Sequence, residues 1–191
     1  MHCWKLKKIL KRRIDQEAKQ MTQHIDFFKA ECQTENISET IFGICDDEDS
    51  DIKTPAYVSY DPIQDNWIAT VKNQSEHCLN FTAVDNCIEI LRSDGSMDNR
   101  CDAMLTNKDN IIFVELKDQK ECWIRHAVDE QLQTTIDHFK DNYDISQYKH
   151  KKAYACNRRH PNFHVSYKEK MSQFFSRNRI RLSLEATIII K

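Results

Sequence analysis

The chain has 191 residues, of which 40% are hydrophobic and 30% charged, with only two glycines and three prolines. This length fits one domain of ordinary size, long enough to bury most of the surface that a fold has to hide. The scarcity of glycine and proline excludes long linkers and low-complexity segments. No apolar run approaches the roughly 18 residues of a membrane-spanning helix, so we expect no membrane association.

The eight cysteines are scattered and form no Cys-x-x-Cys pair, which disfavours both a zinc site and a disulfide framework. The segment WKLKKILKRR near the N-terminus lacks the uninterrupted apolar core of a secretory signal. We therefore expect a cytoplasmic protein whose thiols are reduced and mostly buried.

The formal net charge is −2, but the charged residues are unevenly distributed along the chain. Residues 1–20 carry a balance of +5 and residues 140–191 a balance of +8, which leaves −15 for residues 21–139. An acidic centre with basic flanks fits a protein that binds a metal ion and reaches a polyanion. Ordinary charged surfaces of helices and strands explain the N-terminal charge almost as well.

Residues 3–33 have apolar positions at a spacing of three to four residues, which predicts a helix. We therefore divide the chain into an N-terminal helical segment, residues 1–35, and one α/β domain, residues 36–191. The acidic run at residues 46–51 is interpreted as a solvated loop tip, because it lacks the glycine and the distal glutamate of a calcium-binding loop.

Two further segments precede the centre of the sequence. Residues 55–60 and 67–71 have strand composition and are separated by DPIQDN, which predicts a hairpin. Residues 79–91 are predicted to form a short helix or a transition from helix to strand.

The most informative stretch consists of two hydrophobic runs, residues 101–106 and 111–117, joined by the turn formers NKDN. This composition predicts a β-hairpin. If the hairpin closes symmetrically about Lys108 and Asp109, each pair of opposite residues has numbers that sum to 217. Asp102 then lies opposite Glu115, with Cβ atoms roughly 4.5–5.5 Å apart, where two like charges destabilise the pair. A cation between them is therefore expected.

Glu115 and Lys117 interrupt an otherwise apolar strand at its carboxyl end. Strand alternation puts both on one face and turns Leu116 toward a core. Two converging carboxylates suit a hard divalent cation, and an ammonium group beside it can orient a metal-bound water. This combination predicts phosphodiester hydrolysis. In a chain with 30% charged residues the same string also arises by chance, so salt-bridged acids in a protein without nuclease activity are an alternative.

Residues 122–143 carry an apolar stripe at helical spacing and are predicted to pack on the sheet. Gln131 falls on the edge of that stripe, about 20° from Ile124 at 100° per residue. Trp123 is assigned to packing and Arg125 to the solvent.

Residues 151–156 form a predicted strand that ends in a basic loop with Arg158 and Arg159. Such a loop at a sheet edge can contact phosphates, and a plain solvated loop is an equal alternative. Residues 167–175 are predicted to be helical. Residues 179–190 alternate between apolar and polar side chains and predict one half-buried strand.

Asp102, twelve intervening residues and then Glu115-Leu116-Lys117 at the end of a strand resemble the active-site signature of the PD-(D/E)XK nuclease superfamily, which has the restriction-endonuclease-like fold. The resemblance covers about residues 76–160 and implies, in chain order, a helix, the antiparallel hairpin that carries the acids, a crossover helix and further strands. It implies that Asp102 and Glu115 hold the metal ion. It also implies that Leu116 adds its backbone carbonyl and that Lys117 positions the attacking water.

Other positions complete or depart from this resemblance. The proline that names the motif is absent, since Cys101 precedes Asp102, as in many family members. Gln131 matches a glutamine that many families place on the helix after the motif strand, and a boundary residue without a role is an equal alternative. Family members often add an acid from before the motif hairpin, for which the candidates are Asp85, Glu89 and, more weakly, Glu76.

We therefore expect an α/β fold with a restriction-endonuclease-like core, a mixed β-sheet flanked by helices, preceded by an N-terminal helix. The predicted function is that of an endonuclease that cleaves DNA with Mg²⁺, for which Mn²⁺ can substitute. Specificity would come from loops, from a homodimer partner or from a larger protein subunit. The alternative is a catalytically silent nucleic-acid-binding or assembly subunit on the same fold, which the intact Lys117 disfavours.

Overall fold

The computed structural model describes residues 24–47, 53–160 and 167–191, which form an α/β fold of three layers. A six-stranded sheet lies in the middle, with helices on one face and a four-stranded sheet on the other. The strands are β1 (Gln33–Ile37), β2 (Ile41–Cys45), β3 (Tyr57–Ser59), β4 (Ala69–Asn73), β5 (Leu79–Ala83), β6 (Ala103–Thr106), β7 (Asn110–Lys117), β8 (His150–Asn157), β9 (Arg181–Ser183) and β10 (Thr187–Ile190).

The helical segments lie mainly between β7 and β8 and between β8 and β9. The first connection runs continuously through a short helix, a π-helical stretch and a longer helix, as predicted for residues 122–143. In chain order these segments are α1 (Trp123–Arg125), the π-helix His126–Leu132, α2 (Gln133–Asn142) and α3 (Lys168–Asn178), with 3₁₀ turns at Ala30–Cys32 and Ile145–Gln147. Among the helices of the described residues, none combines the length and the apolar character needed to cross a bilayer.

Both sheets are mixed. The larger has the order β1-β5-β6-β7-β8-β9, antiparallel from β1 to β7 and parallel from β7 to β9. The smaller has the order β10-β4-β2-β3, in which only β10 and β4 run parallel. The parallel pairing of β7 with β8 needs a long crossover, which the α1-to-α2 helix provides.

Strand β7 is buried along all eight residues because both faces of its sheet are covered. Ile111 and Phe113 pack toward the helices, against residues such as Leu132 and Phe139. Ile112, Val114 and Leu116 pack toward the smaller sheet. A strand that is covered on both faces consists of a nearly continuous run of apolar residues, which explains the composition of this segment.

The helix predicted over residues 3–33 does not extend through its last part. Residues 1–23 lie outside the described part of the chain, and residues 24–32 contain only a 3₁₀ turn as regular structure before β1 begins. Phe27 is buried against Phe139, with ring centroids 5.3 Å apart. Phe27 packs on the crossover helix although it does not itself lie in a helix. The apolar spacing of this segment therefore reflects packing against another element and not helix formation. The expected segment boundary at residue 35 falls inside β1.

The hairpin predicted from residues 55–60 and 67–71 is wrong in its pairing. Both segments provide strands of the smaller sheet, but β2 lies between them. Gly43 of β2 pairs with Ser59 on one side and with Thr70 on the other. No element was predicted for residues 41–45, and Gly43 in the middle of IFGIC weakens the strand pattern there.

Two other element predictions need correction. Residues 79–91 form β5 and turns, with no helix, because Leu79, Phe81 and Ala83 alternate into the core between the sheets. Residues 179–190 form two strands rather than one, and β9 and β10 lie in different sheets. Apolar and polar residues alternate through both strands. The pattern therefore does not show that the chain passes from one sheet to the other between β9 and β10.

Two of the cysteines expected to be reduced form a disulfide, Cys32–Cys87, with Cα atoms 5.8 Å apart. It joins the 3₁₀ turn before β1 to the turn after β5. Their separation of 55 residues gives no local sequence signal. Cys45, Cys101 and Cys156 are buried thiols, as expected, whereas Cys78 and Cys122 are exposed.

Candidate active site

The acids of the motif hairpin lie at the edge of the larger sheet where β7 ends. Ala103 pairs with Val114 and Met104 with Phe113, so the predicted sum of 217 is confirmed. One position beyond Ala103, Asp102 lies opposite Glu115. The Asp102 carboxylate Oδ2 accepts a hydrogen bond from the backbone N–H of Leu116 at 2.5 Å. The two strands therefore fix the first acid beside the second.

Glu115 and Lys117 share the helix-covered face of β7, as alternation predicted. The Lys117 Nζ atom lies 2.5 Å from Glu115 Oε1. Within the described residues, Glu115 Oε2 is buried and has no hydrogen-bond donor. Leu116 faces the opposite core, which is also as predicted.

Burial has the largest effect on the pKa values of Asp102 and Glu115. It raises the pKa of Asp102 to about 7, although Lys117 and the Leu116 N–H act in the opposite direction. It also raises the pKa of Glu115 well above its ordinary value, and the negative charge of Asp102 adds to this increase. A cation between the acids would relieve both penalties.

The three motif side chains are closed off from solvent. Asp102 is 4% exposed, Glu115 is not exposed and Lys117 is 6% exposed. The motif side chains therefore have almost no contact with solvent in this conformation.

The crossover helix covers the chain just before Asp102. Thr135 Oγ1 accepts a hydrogen bond from the backbone N–H of Cys101 at 2.7 Å and donates one to the Gln131 carbonyl. Gln131 Nε2 donates to the Arg100 carbonyl at 3.4 Å, while Gln131 Oε1 is buried without a partner among the described residues. The structure thus brings Gln131 near Asp102. Thr135, which lies on the predicted apolar stripe, anchors the helix there.

The candidate additional acids lie in different places. Asp85 follows β5 and pairs with Arg100, whose Nε lies 2.8 Å from Asp85 Oδ1. Its charge contributes to the raised pKa values of both motif acids. Glu89 is exposed and lines a cavity of about 510 Å³ together with His138. Glu76 precedes β5 and so lies at the end of that strand away from the acids.

Asp46 is a further acid near the site that the sequence interpretation missed. It was assigned to a solvated loop tip, of which residues 48–51 lie outside the described part of the chain. Asp46 itself is half-buried, and its charge raises the pKa of Asp102. It follows β2, the strand that the sequence pattern did not reveal, so its proximity was not predictable either.

The predicted basic loop lies beside Lys117. Strand β8 ends at Asn157, which pairs with Lys117, and the backbone N–H of Arg158 donates to the Lys117 carbonyl at 3.0 Å. The Arg158 and Arg159 side chains both contact the carboxylate of Asp118, a residue that no sequence pattern singles out.

The donor atoms present fit a divalent metal ion in part. No group of three or more His, Cys, Asp or Glu side chains within residues 24–47, 53–160 and 167–191 is arranged to hold a metal. Mg²⁺, however, is commonly bound by one or two carboxylates with water completing its shell. The opposed carboxylates of Asp102 and Glu115, one with a buried unpartnered oxygen, meet that requirement.

No protein-family model, curated protein or solved structure matches this chain.

Proposed function

We propose that this protein is a metal-dependent nuclease that hydrolyses phosphodiester bonds in DNA, with a site of the PD-(D/E)XK type. The observation that carries the proposal is the placement of Asp102, Glu115 and Lys117. Two buried carboxylates lie opposite each other at the carboxyl end of β7, with an ammonium group 2.5 Å from one of them.

The order of elements around the site supports this proposal. Strands β6 and β7 form an antiparallel hairpin, the helix from α1 to α2 crosses over, and β8 pairs in parallel with β7. The resemblance implies this order of hairpin, crossover helix and further strand. The helix expected before the hairpin is absent from residues 79–91, where β5 and its turns lie instead.

Asp102, Glu115 and the Leu116 carbonyl would hold Mg²⁺ or Mn²⁺. The N–H and C=O groups of one residue in an extended strand point to the same side. Since the Leu116 N–H bonds to Asp102, the Leu116 carbonyl also faces that acid. A bound divalent ion supplies Lewis-acid activation of the phosphate and lowers the pKa of water.

Lys117 would orient the attacking water and stabilise negative charge that develops on the phosphate. Its Nζ atom is held by Glu115, so the ammonium group has a fixed position at the end of β7. Gln131 has a buried amide oxygen without a partner in the described part of the chain, and this oxygen can accept a hydrogen bond from that water. Arg158 and Arg159 would contact the DNA backbone.

The proposal is tested by incubating the purified protein with plasmid, linear duplex and single-stranded DNA, and with RNA. Each substrate is combined with Mg²⁺, Mn²⁺ or EDTA. We expect cleavage of DNA that depends on the metal and that EDTA abolishes. Asp102→Asn, purified in parallel, controls for a contaminating nuclease.

One observation favours a second candidate function. The motif side chains are almost completely buried, which also suits a catalytically silent nucleic-acid-binding or assembly subunit whose Glu115–Lys117 pair is structural. A wild-type protein that binds nucleic acid but cleaves neither DNA nor RNA would favour this function.

A further inference from the structure

One carboxylate joins both arginines of the basic loop. Asp118 Oδ1 lies 2.7 Å from Arg159 Nε, and Asp118 Oδ2 contacts Arg158 Nη2. Arg159 Nε also donates to the Asp118 backbone carbonyl at 3.1 Å. Both carboxylate oxygens are therefore engaged by guanidinium groups.

This arrangement has the geometry of an anion site that an internal group already fills. Guanidinium groups bind carboxylates and phosphates through the same planar donors, so either anion fits between the two side chains. Arg158 and Arg159 are 44% and 47% exposed at the side chain, whereas Asp118 is 20% exposed. Ion pairs on such half-exposed side chains contribute little net stability, so an external anion can replace the carboxylate at low cost.

Further contacts secure the segment that follows Lys117. Asn157 Nδ2 donates to the Gln119 carbonyl at 2.8 Å, and His160 Nε2 lies 2.6 Å from the Lys120 carbonyl. Residues 118–120 are thus held against residues 157–160, next to the buried acids. Release of Asp118 removes the charged part of this attachment.

We propose that Asp118 is an internal competitor for the phosphate-binding arginines, and that a phosphodiester group of the nucleic-acid backbone displaces it. The displacement transfers Arg158 and Arg159 from the carboxylate to the phosphate. It also removes the charged part of the attachment between residues 118–120 and the basic loop. The proposal rests on the nucleic-acid-binding role proposed above, but not on catalysis.

Binding in EDTA tests this inference without cleavage. The probe is a short fluorescent single-stranded DNA, titrated at low salt with wild type and with Asp118→Asn. We expect the variant to bind about three- to tenfold more tightly, because the arginines no longer have a charged internal partner. Asp118→Glu, which keeps the charge, should bind like the wild type.

A matched control separates this effect from a general change of charge. Asp129→Asn also removes one acid from a surface ion pair, with Lys170 at 2.6 Å, and should increase affinity by less than about twofold. In the Arg158→Ala/Arg159→Ala background, Asp118→Asn should give no increase. Equal increases for Asp118→Asn and Asp129→Asn, or an increase that persists without the arginines, would overturn the inference.

The outcomes also distinguish this inference from the proposed nuclease activity. If the wild type cleaves DNA and Asp118→Asn binds no more tightly, the competitor role is wrong and the activity stands. If Asp118→Asn binds more tightly through the arginines while the wild type cleaves no substrate, the anion site stands and the catalytic proposal fails.

Discussion

The backbone N–H of Leu116 holds the carboxylate of Asp102 at 2.5 Å, so the strand that carries the second acid also fixes the position of the first. The separation of the two acids therefore depends on the pairing of β6 with β7 and not only on side-chain rotamers. This preorganisation keeps two groups of like charge together, and it has measurable consequences for stability, metal binding and chemistry.

The first prediction concerns pH. The pKa of Asp102 is about 7 in the folded protein and 3.8 for an unperturbed aspartate, so the folded state holds this proton more tightly. The stabilising contribution is complete below about pH 4 and is lost as the pH rises through 7. In the wild type, this group lowers the free energy of unfolding by at most about 1.4 kcal/mol per pH unit over that range. Asp102→Asn should abolish this decrease. The measurement is the free energy of unfolding from urea titrations in EDTA at several pH values.

Carboxyl groups with lowered pKa values, such as Asp98 and Asp118, have the opposite dependence on pH. The prediction therefore applies to the difference in the free energy of unfolding between wild type and Asp102→Asn. A difference that is constant from pH 4 to 8 would show that Asp102 ionises normally.

The second prediction concerns metal. Mg²⁺ or Mn²⁺ should raise the melting temperature of the wild type near pH 7, because a bound cation relieves the repulsion between Asp102 and Glu115. Binding should also release protons, since both acids have raised pKa values. Calorimetry with Mn²⁺ in buffers of different ionisation enthalpy measures this release. The same heat of binding in Asp102→Asn would place the metal elsewhere.

The third prediction concerns Lys117. Lys117→Ala should lower the rate of cleavage by a factor on the order of 10²–10³, the usual loss for one preorganised electrostatic group, while metal and DNA binding persist. Lys117→Met retains most of the buried stem and should show the same loss of rate with a smaller effect on folding. Kinetics and thermal melting are measured together. If both variants only destabilise the protein, the Glu115–Lys117 pair is structural.

The fourth prediction concerns the basic loop. Arg158→Ala/Arg159→Ala should weaken binding to all DNA sequences alike and reduce the slope of log affinity against log salt by about two units. Affinities over a salt series measure both effects. Lys168→Ala/Arg177→Ala removes the same charge from α3 and should leave the slope nearly unchanged.

The fifth prediction concerns packing between the smaller sheet and its loop. A Cβ atom added to Gly43 would lie 2.2 Å from the Trp67 ring. Gly43→Ala should therefore destabilise the protein by about 1–3 kcal/mol, the usual cost of overpacking. Urea unfolding measures this cost, and it should shrink in a Trp67→Leu background. An equal cost in both backgrounds would indicate that backbone conformation, not the ring, requires glycine.

The parts of the fold that were predictable from the sequence depend on local pattern. The hairpin register follows from the turn residues and the two apolar runs, which together place Asp102 opposite Glu115. The crossover helix followed from its stripe. In both cases, neighbouring residues determine the structure that they form.

The rest depends on contacts between distant segments. Strand β2 was missed because Gly43 weakens its pattern, and only its pairing with both β3 and β4 explains why it is a strand. Asp46 lies near the site because it follows β2, and Asp118, which directly follows Lys117, contacts Arg158 and Arg159 because β8 pairs with β7. No spacing along the chain reports such proximity, and the Cys32–Cys87 disulfide was missed for the same reason.

The parallel pairing of β10 with β4 sets a constraint on the order of folding. Thr187 pairs with Thr70, so the smaller sheet joins segments separated by more than half of the chain. During synthesis, β2, β3 and β4 leave the ribosome long before β10 can cover the edge of β4. That edge is exposed in the nascent chain and can pair with another strand, including one from a second chain. A chaperone that shields strand edges should therefore increase the yield of folded protein, most of all at high expression.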